Sequence, residues 1–183
     1  MSKLNIRPSV AGKLLPALVA LSCCLIMPAF LVDTLAQSAI ERAAPALVTP
    51  AINTSPLPKY DYDKLDYGMT IGIERTPKGR IWACWVAGGD NSNAFFVLAT
   101  SDNNGKTWSK PRAVLDPHDP TLAEKRRTLV GTLWTDPKGR LWLFFDQAMT
   151  PFDGRSGTWY TICDNPDDDQ PVWSTPVRIW HGC

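Results

Sequence analysis

Apolar and polar positions along this chain fall into three successive regimes. Residues 14–32 are almost wholly apolar. Residues 39–66 show neither a helical nor a strand period and carry Pro45, Pro50, Pro56 and Pro58 among Ala, Thr and Ser, the composition of a linker. From 67 onward, apolar residues come in short β-type runs bounded by Gly, Pro, Asn and Asp. The runs are 70–74, 80–86, 95–100 and 112–115, then 132–135, 141–145, 158–162 and 177–180. Outside 14–32 no segment repeats apolar residues at helical spacing, and the polar stretch 122–127 is the only helix-like one. The pattern predicts an all-β class.

The two groups of four runs echo each other. Pro77-Lys78-Gly79-Arg80-Ile81-Trp82 returns sixty residues later as Pro137-Lys138-Gly139-Arg140-Leu141-Trp142. Trp108-Ser109-Lys110-Pro111 returns after sixty-five as Trp173-Ser174-Thr175-Pro176. In each hexapeptide the glycine falls where a tight hairpin needs a positive φ. Self-similarity at this period, with four strands per unit, predicts two blades of a β-propeller spanning 67–183. Two blades leave apolar faces and strand edges without neighbours, so further blades are expected, from a longer chain in preference to other chains.

Charge and leader change the picture in two ways. Lys3, Arg7 and Lys13 ahead of the apolar run, and small residues near its exit, give 1–38 the pattern of a secretory signal, cleaved after Ala36 or Ser38, and hence a secreted or periplasmic product. The alternative is an uncleaved anchor, the one route by which the sequence brings the chain to a membrane. Formal net charge is +1 with both signs interspersed, which argues against nucleic acid as a partner. Cys84, Cys163 and Cys183 follow the leader, an odd number that makes no disulfide framework, and Cys84 within an apolar run reads as a buried hydrophobe. Only His118 and His181 are present, in no metal-ligand cluster, and there is no glycine-rich phosphate loop. Neither a metal nor another cofactor is expected.

One loop carries a family resemblance. Ser101-Asp102-Asn103-Asn104-Gly105-Lys106-Thr107-Trp108 closely resembles the Asp-box, Ser-x-Asp-x-Gly-x-Thr-Trp, of the sialidase (neuraminidase) superfamily, with Asn103 where Asp is usual. Ser101, Asn103, Gly105, Thr107 and Trp108 are its structural residues: the first two bond turn amides, Gly105 takes a left-handed conformation, and Trp108 tucks its ring under the hairpin. A degraded copy runs from Cys163-Asp164-Asn165 to Trp173-Ser174, its Asp167, Asp168 and Asp169 in a solvated loop or, alternatively, a calcium loop. The strand 139–144, Phe152-Asp153-Gly154-Arg155 and Trp173 to Pro176 are similar to segments of bacterial sialidase-family proteins with such repeats.

The resemblance implies an exported glycoside hydrolase acting on acidic glycans, with arginines on the substrate carboxylate, a tyrosine nucleophile assisted by glutamate, and an aspartate acid/base. The family's first arginine lies in a Phe/Tyr-Arg-Ile-Pro motif, where this chain has Gly68-Met69-Thr70-Ile71; its Tyr and Glu come from later blades. By position Asp90 is the candidate acid/base, or else a turn residue after two glycines. Arg127, Gln147, Asp153 and Arg155 are the candidate substrate-binding residues, the last two alternatively a loop-stabilising pair, with Arg126 solvated beside Arg127. The alternative function is a non-catalytic propeller that binds a glycan or a protein.

Overall fold

A computed structural model describes residues 38, 41–65, 68–149 and 153–182. The predicted leader therefore lies outside the described residues, Ser38 excepted. The chain divides into two units at Glu41, and every strand among the described residues lies in the second, Arg42–Cys183.

Among the described residues eight strands form two antiparallel four-stranded sheets. The first holds β1 (Met69–Arg75), β2 (Ile81–Ala87), β3 (Phe95–Ser101) and β4 (Ala113–Leu115) in sequence order. The second holds β5 (Gly131–Thr135), β6 (Leu141–Ala148), β7 (Ser156–Cys163) and β8 (Val177–His181), again in order. The helix-like stretch 122–127 forms no helix.

Each repeated hexapeptide makes the same hairpin. Gly79 N–H donates to Thr76 C=O at 2.9 Å and Gly139 N–H to Asp136 C=O at 2.8 Å, with Pro at the second turn position where its fixed φ fits. The glycines then take φ of 96° and 79°, which a side chain would resist.

Strand alternation sends Trp82, Cys84 and Val86 of β2, Phe96 and Leu98 of β3, and Ala113 and Leu115 of β4 to one face of the first sheet. That face packs on Leu133, Leu141, Leu143, Phe145, Trp159 and Cys163 of the second sheet to form the main core. Gly72 and Gly131 allow the first strands to approach. A Cβ on Gly72 would lie 2.9 Å from Leu133 N, and one on Gly131 would lie 2.8 Å from the Phe96 ring.

The segment expected to be a linker is instead packed. Residues 53–65 form a strap: Asn53 exchanges backbone hydrogen bonds with Val114 at 2.8 and 2.9 Å, extending the β4 edge, and Tyr60 and Leu65 cover Ala87, Phe95, Val97 and Val114 on the far face of the first sheet. Proline spacing hid this, because the strap is held by individual side chains and has no regular period. Tyr60 O–H donates to Asp116 at 2.7 Å, Tyr62 O–H to Ser109 C=O at 2.8 Å, and Lys110 pairs with Asp61 at 3.0 Å.

The second sheet has no such cover among the described residues. Trp134, Trp142, Phe144, Tyr160, Val177 and Trp180 lie along its outer face, with Trp142 and Phe144 stacked at 5.7 Å and Trp142 5.1 Å from Tyr160. Trp180 is 66% exposed and Trp134 46%.

Candidate functional site

The loops after β2 and β6 gather at one end of the two sheets, and the Asp-box loops lie at the other. At the Asp-box end the predicted residues do structural work. Ser101 Oγ accepts from Gly105 N–H at 2.8 Å and Asn103 Oδ1 from Thr107 N–H at 2.9 Å, while Gly105 has φ of 80° and Trp108 meets Trp85 edge-on at 5.3 Å. In the degraded copy, Asn165 Oδ1 accepts from Val172 N–H at 2.9 Å, so Asn165 keeps the role of Asn103.

The aspartates of that copy serve the join between sheets. Asp167 accepts from the Thr76 hydroxyl, the Asp168 carbonyl from Arg80 at 2.6 Å, the Asp169 carbonyl from Arg112 at 2.6 Å, and the Pro166 carbonyl from Trp82 Nε1 at 3.0 Å. The loop is thus a clasp over the first hairpin. Among the described residues no three His, Cys, Asp or Glu side chains converge on a point that could hold a metal ion.

At the other end, a cleft of about 270 Å³ is lined by Arg127, Val130, Asp146, Asp153, Arg155, Ser156 and Thr158. Arg127 is fixed by its backbone, which exchanges bonds with Ala148 at 2.8 and 2.9 Å, and its guanidinium reaches Asp146 at 3.1 Å. Asp146 also accepts from Leu129 N–H at 2.7 Å and Val130 N–H at 2.9 Å, which pins the chain entering β5. Arg155 Nε donates to Asp153 at 2.6 Å, and its guanidinium also meets Glu124. The Arg155 bond holds the Asp153 carboxyl below the usual range.

Of the predicted binding residues, Arg127, Asp153 and Arg155 therefore meet in one cleft. Gln147 does not. Its side chain is buried and its amide donates to Ala46 C=O at 3.0 Å and Val48 C=O at 2.7 Å, tying the segment before the strap to β6. Strand alternation explains the difference, since Gln147 points to the face opposite Asp146. Asp90 is exposed in the turn after Gly88 and Gly89 and does not line the cleft. Arg126, expected to be solvated, donates to Pro117 C=O at 2.8 Å and Pro45 C=O at 2.9 Å.

Asp146 was missed by sequence reasoning; its one signal was a charge closing the apolar run of β6. A second missed group is the chain Tyr60–Asp116–His118. His118 Nδ1 lies 2.6 Å from Asp116 and Nε2 lies 3.3 Å from Ser92 C=O. Burial acts to raise the Asp116 carboxyl, but the bonds from His118 and Tyr60 overcome it and hold it at about 2. The Asp116 bond in turn raises His118. This group borders a wider depression of about 530 Å³ formed by Asn93, His118, Asp119, Leu122 and Lys125.

The two described thiols suit neither nucleophilic nor redox chemistry. Cys84 and Cys163 are buried and unpaired, and burial pushes Cys163 up to about 11 and Cys84 well above its ordinary value. Comparison with protein-family models and with curated proteins finds no match to this chain.

Proposed function

We propose that this chain is an exported, sialidase-like propeller module that binds a glycan in the Arg127–Arg155 cleft without turning it over. The observation that carries the reading is the cleft's lining, in which hydrogen-bonded carboxylates and guanidiniums stand beside the Ser156 and Thr158 hydroxyls. Sugar hydroxyls both donate and accept, so such a lining offers them partners on each side. The paired sheets, the twin hairpins and the Asp-box support the propeller part of the proposal.

The charge balance favours a neutral sugar over an acidic one. Arg127 already faces Asp146, and Arg155 faces Asp153 and Glu124, so an incoming carboxylate would have to compete with carboxylates in place. A neutral saccharide meets no such competition. Hydrolysis by the sialidase route also requires an acid/base at the cleft, and Asp90 does not line it.

Calorimetric titration with a neutral hexose, glucuronate and sialic acid tests this directly. The neutral sugar is expected to bind at least as well as the acids, Thr158→Trp to abolish binding by filling the cleft, and a fluorogenic sialoside to remain intact. Sialoside cleavage would overturn the non-catalytic reading in favour of the acidic-glycan hydrolase, and a carboxylate-dependent preference lost in Arg155→Gln would replace the neutral sugar with an acidic one as the ligand.

A further inference from the structure

The interface between the sheets has two half-copies elsewhere on the molecule. In the sixty-residue repeat, Trp82, Cys84 and Val86 of β2 correspond to Trp142, Phe144 and Asp146 of β6. The first set is fully buried under the second sheet; the second set lies on that sheet's open face. Conversely, Leu141, Leu143 and Phe145 of β6, which pack on the first sheet, correspond to Ile81, Ala83 and Trp85 of β2. Those three lie on the face that the strap covers, where Tyr62 meets Trp85 edge-on at 5.8 Å. One end of the molecule therefore presents the front half of the internal interface and the other conceals its back half.

We propose that residues 53–65 are a displaceable cap, and that with the cap open a second copy of this chain docks its first sheet onto the bare face of the second sheet, head to tail. The two surfaces hold the repeat positions of an interface already formed within the chain, with Phe144 and Asp146 standing where Cys84 and Val86 do and Ala83 and Trp85 where Leu143 and Phe145 do, and docking through them has the heterologous geometry that adds copies in series. Continuity with that internal interface selects a second copy as occupant.

Two features make the docking reversible. The strap buries few apolar side chains, Tyr60 and Leu65 foremost, and leans on the polar ties of Tyr60, Asp61 and Tyr62, while Leu57 is 62% exposed. The bare face is also complete without a partner. In the first sheet, Arg80 and Trp82 Nε1 donate to carbonyls of the second sheet's loop, whereas in the second sheet Asp136 accepts from both Arg140 Nε, at 2.7 Å, and Trp142 Nε1, at 3.0 Å. Among the described residues no buried donor on that face waits for a neighbour. The edges agree: β4 is paired by Asn53, and all five residues of β8 are exposed.

Sedimentation velocity on the full chain tests the proposal. The wild type is expected to be largely monomeric, and Tyr60→Ala/Tyr62→Ala to form concentration-dependent dimers and longer series, with apparent affinity rising about tenfold for each tenfold rise in the open fraction. Adding Phe144→Arg to that double variant should restore the monomer. Mixed with wild type, this triple variant should give a one-to-one complex and nothing larger, because it offers only the uncapped face and the wild type only the bare one. If the double variant loses its near-ultraviolet circular dichroism, Asp61→Lys, which turns the Lys110 tie into a repulsion at the surface, should give the same pattern at smaller amplitude. A strap-opened chain that stays monomeric would leave the bare face to a different occupant and overturn the proposal, as would association that persists with Phe144→Arg.

Discussion

Among the described residues the first sheet is covered on both faces and the second on one, although their central strands read alike. β2 is buried almost without interruption, while β6 alternates between buried and half-buried positions. Trp82 and Trp142 hold the same place in the same hexapeptide, yet Trp82 is fully buried and Trp142 lies in an aromatic ladder beneath Arg140, whose guanidinium is 5.3 Å from its ring. A run such as Leu141-Trp142-Leu143-Phe144-Phe145 has the composition of a strand buried on both sides. The difference teaches that one sequence pattern fixes the sheet and its hairpin, whereas burial depends on what lies across each face.

Truncating the two tryptophans gives the largest expected contrast. Trp82→Ala should cost about 3–5 kcal/mol in urea unfolding, the range for an aromatic residue lost from a packed core. Trp142→Ala should cost about 1–2 kcal/mol, since it loses ring contacts on a face already half open. Equal losses would break the comparison.

A smaller effect sharpens it at the first strands. Gly131→Ala places a methyl 2.7 Å from Phe144 O and 2.8 Å from the Phe96 ring, where the sheets meet. A loss of about 1–3 kcal/mol is expected from such overpacking. Gly68→Ala, with nothing within 4 Å of the added carbon, should leave the unfolding midpoint unchanged.

The strap's clasp gives the smallest effect and a pH signature. Asp116, depressed to about 2, contributes stability that is present above the ordinary value of 3.8 and lost as pH falls through about 2. His118, raised by Asp116, contributes stability that is present below its ordinary 6.5 and lost as pH rises through its higher folded value. The clasp is therefore strongest between 3.8 and 6.5. Tyr60→Phe should cost about 1 kcal/mol, the worth of one hydrogen bond. The midpoint difference between wild type and His118→Gln should be largest inside that window and shrink on either side; a flat difference would detach His118 from the strap.

Much of the fold was legible because strand period, turn glycines and the repeat all act locally. Thr76 to Arg80 and Asp136 to Arg140 close their hairpins with residues a few positions apart, and the Asp-box bonds span at most four residues. What the sequence hid was long-range. Tyr60 reaches Asp116 across 56 residues, and Gln147 reaches Ala46 across 101. No local pattern announces either contact, so the strap read as a linker and Gln147 as a cleft residue. The cleft was half visible: Asp153 and Arg155 share one loop, whereas the pairing of Arg127 with Asp146 appears only when β5 and β6 are aligned.

Hydroxyl-radical footprinting of the tryptophans, read by mass spectrometry on the intact wild-type chain, tests most directly that the two repeats are equivalent sheets in unequal surroundings. Trp180 and Trp134 should oxidise first, Trp142 more slowly, and Trp82 and Trp159 should stay protected until the chain unfolds. Oxidation of Trp82 and Trp142 at the same rate would contradict the account.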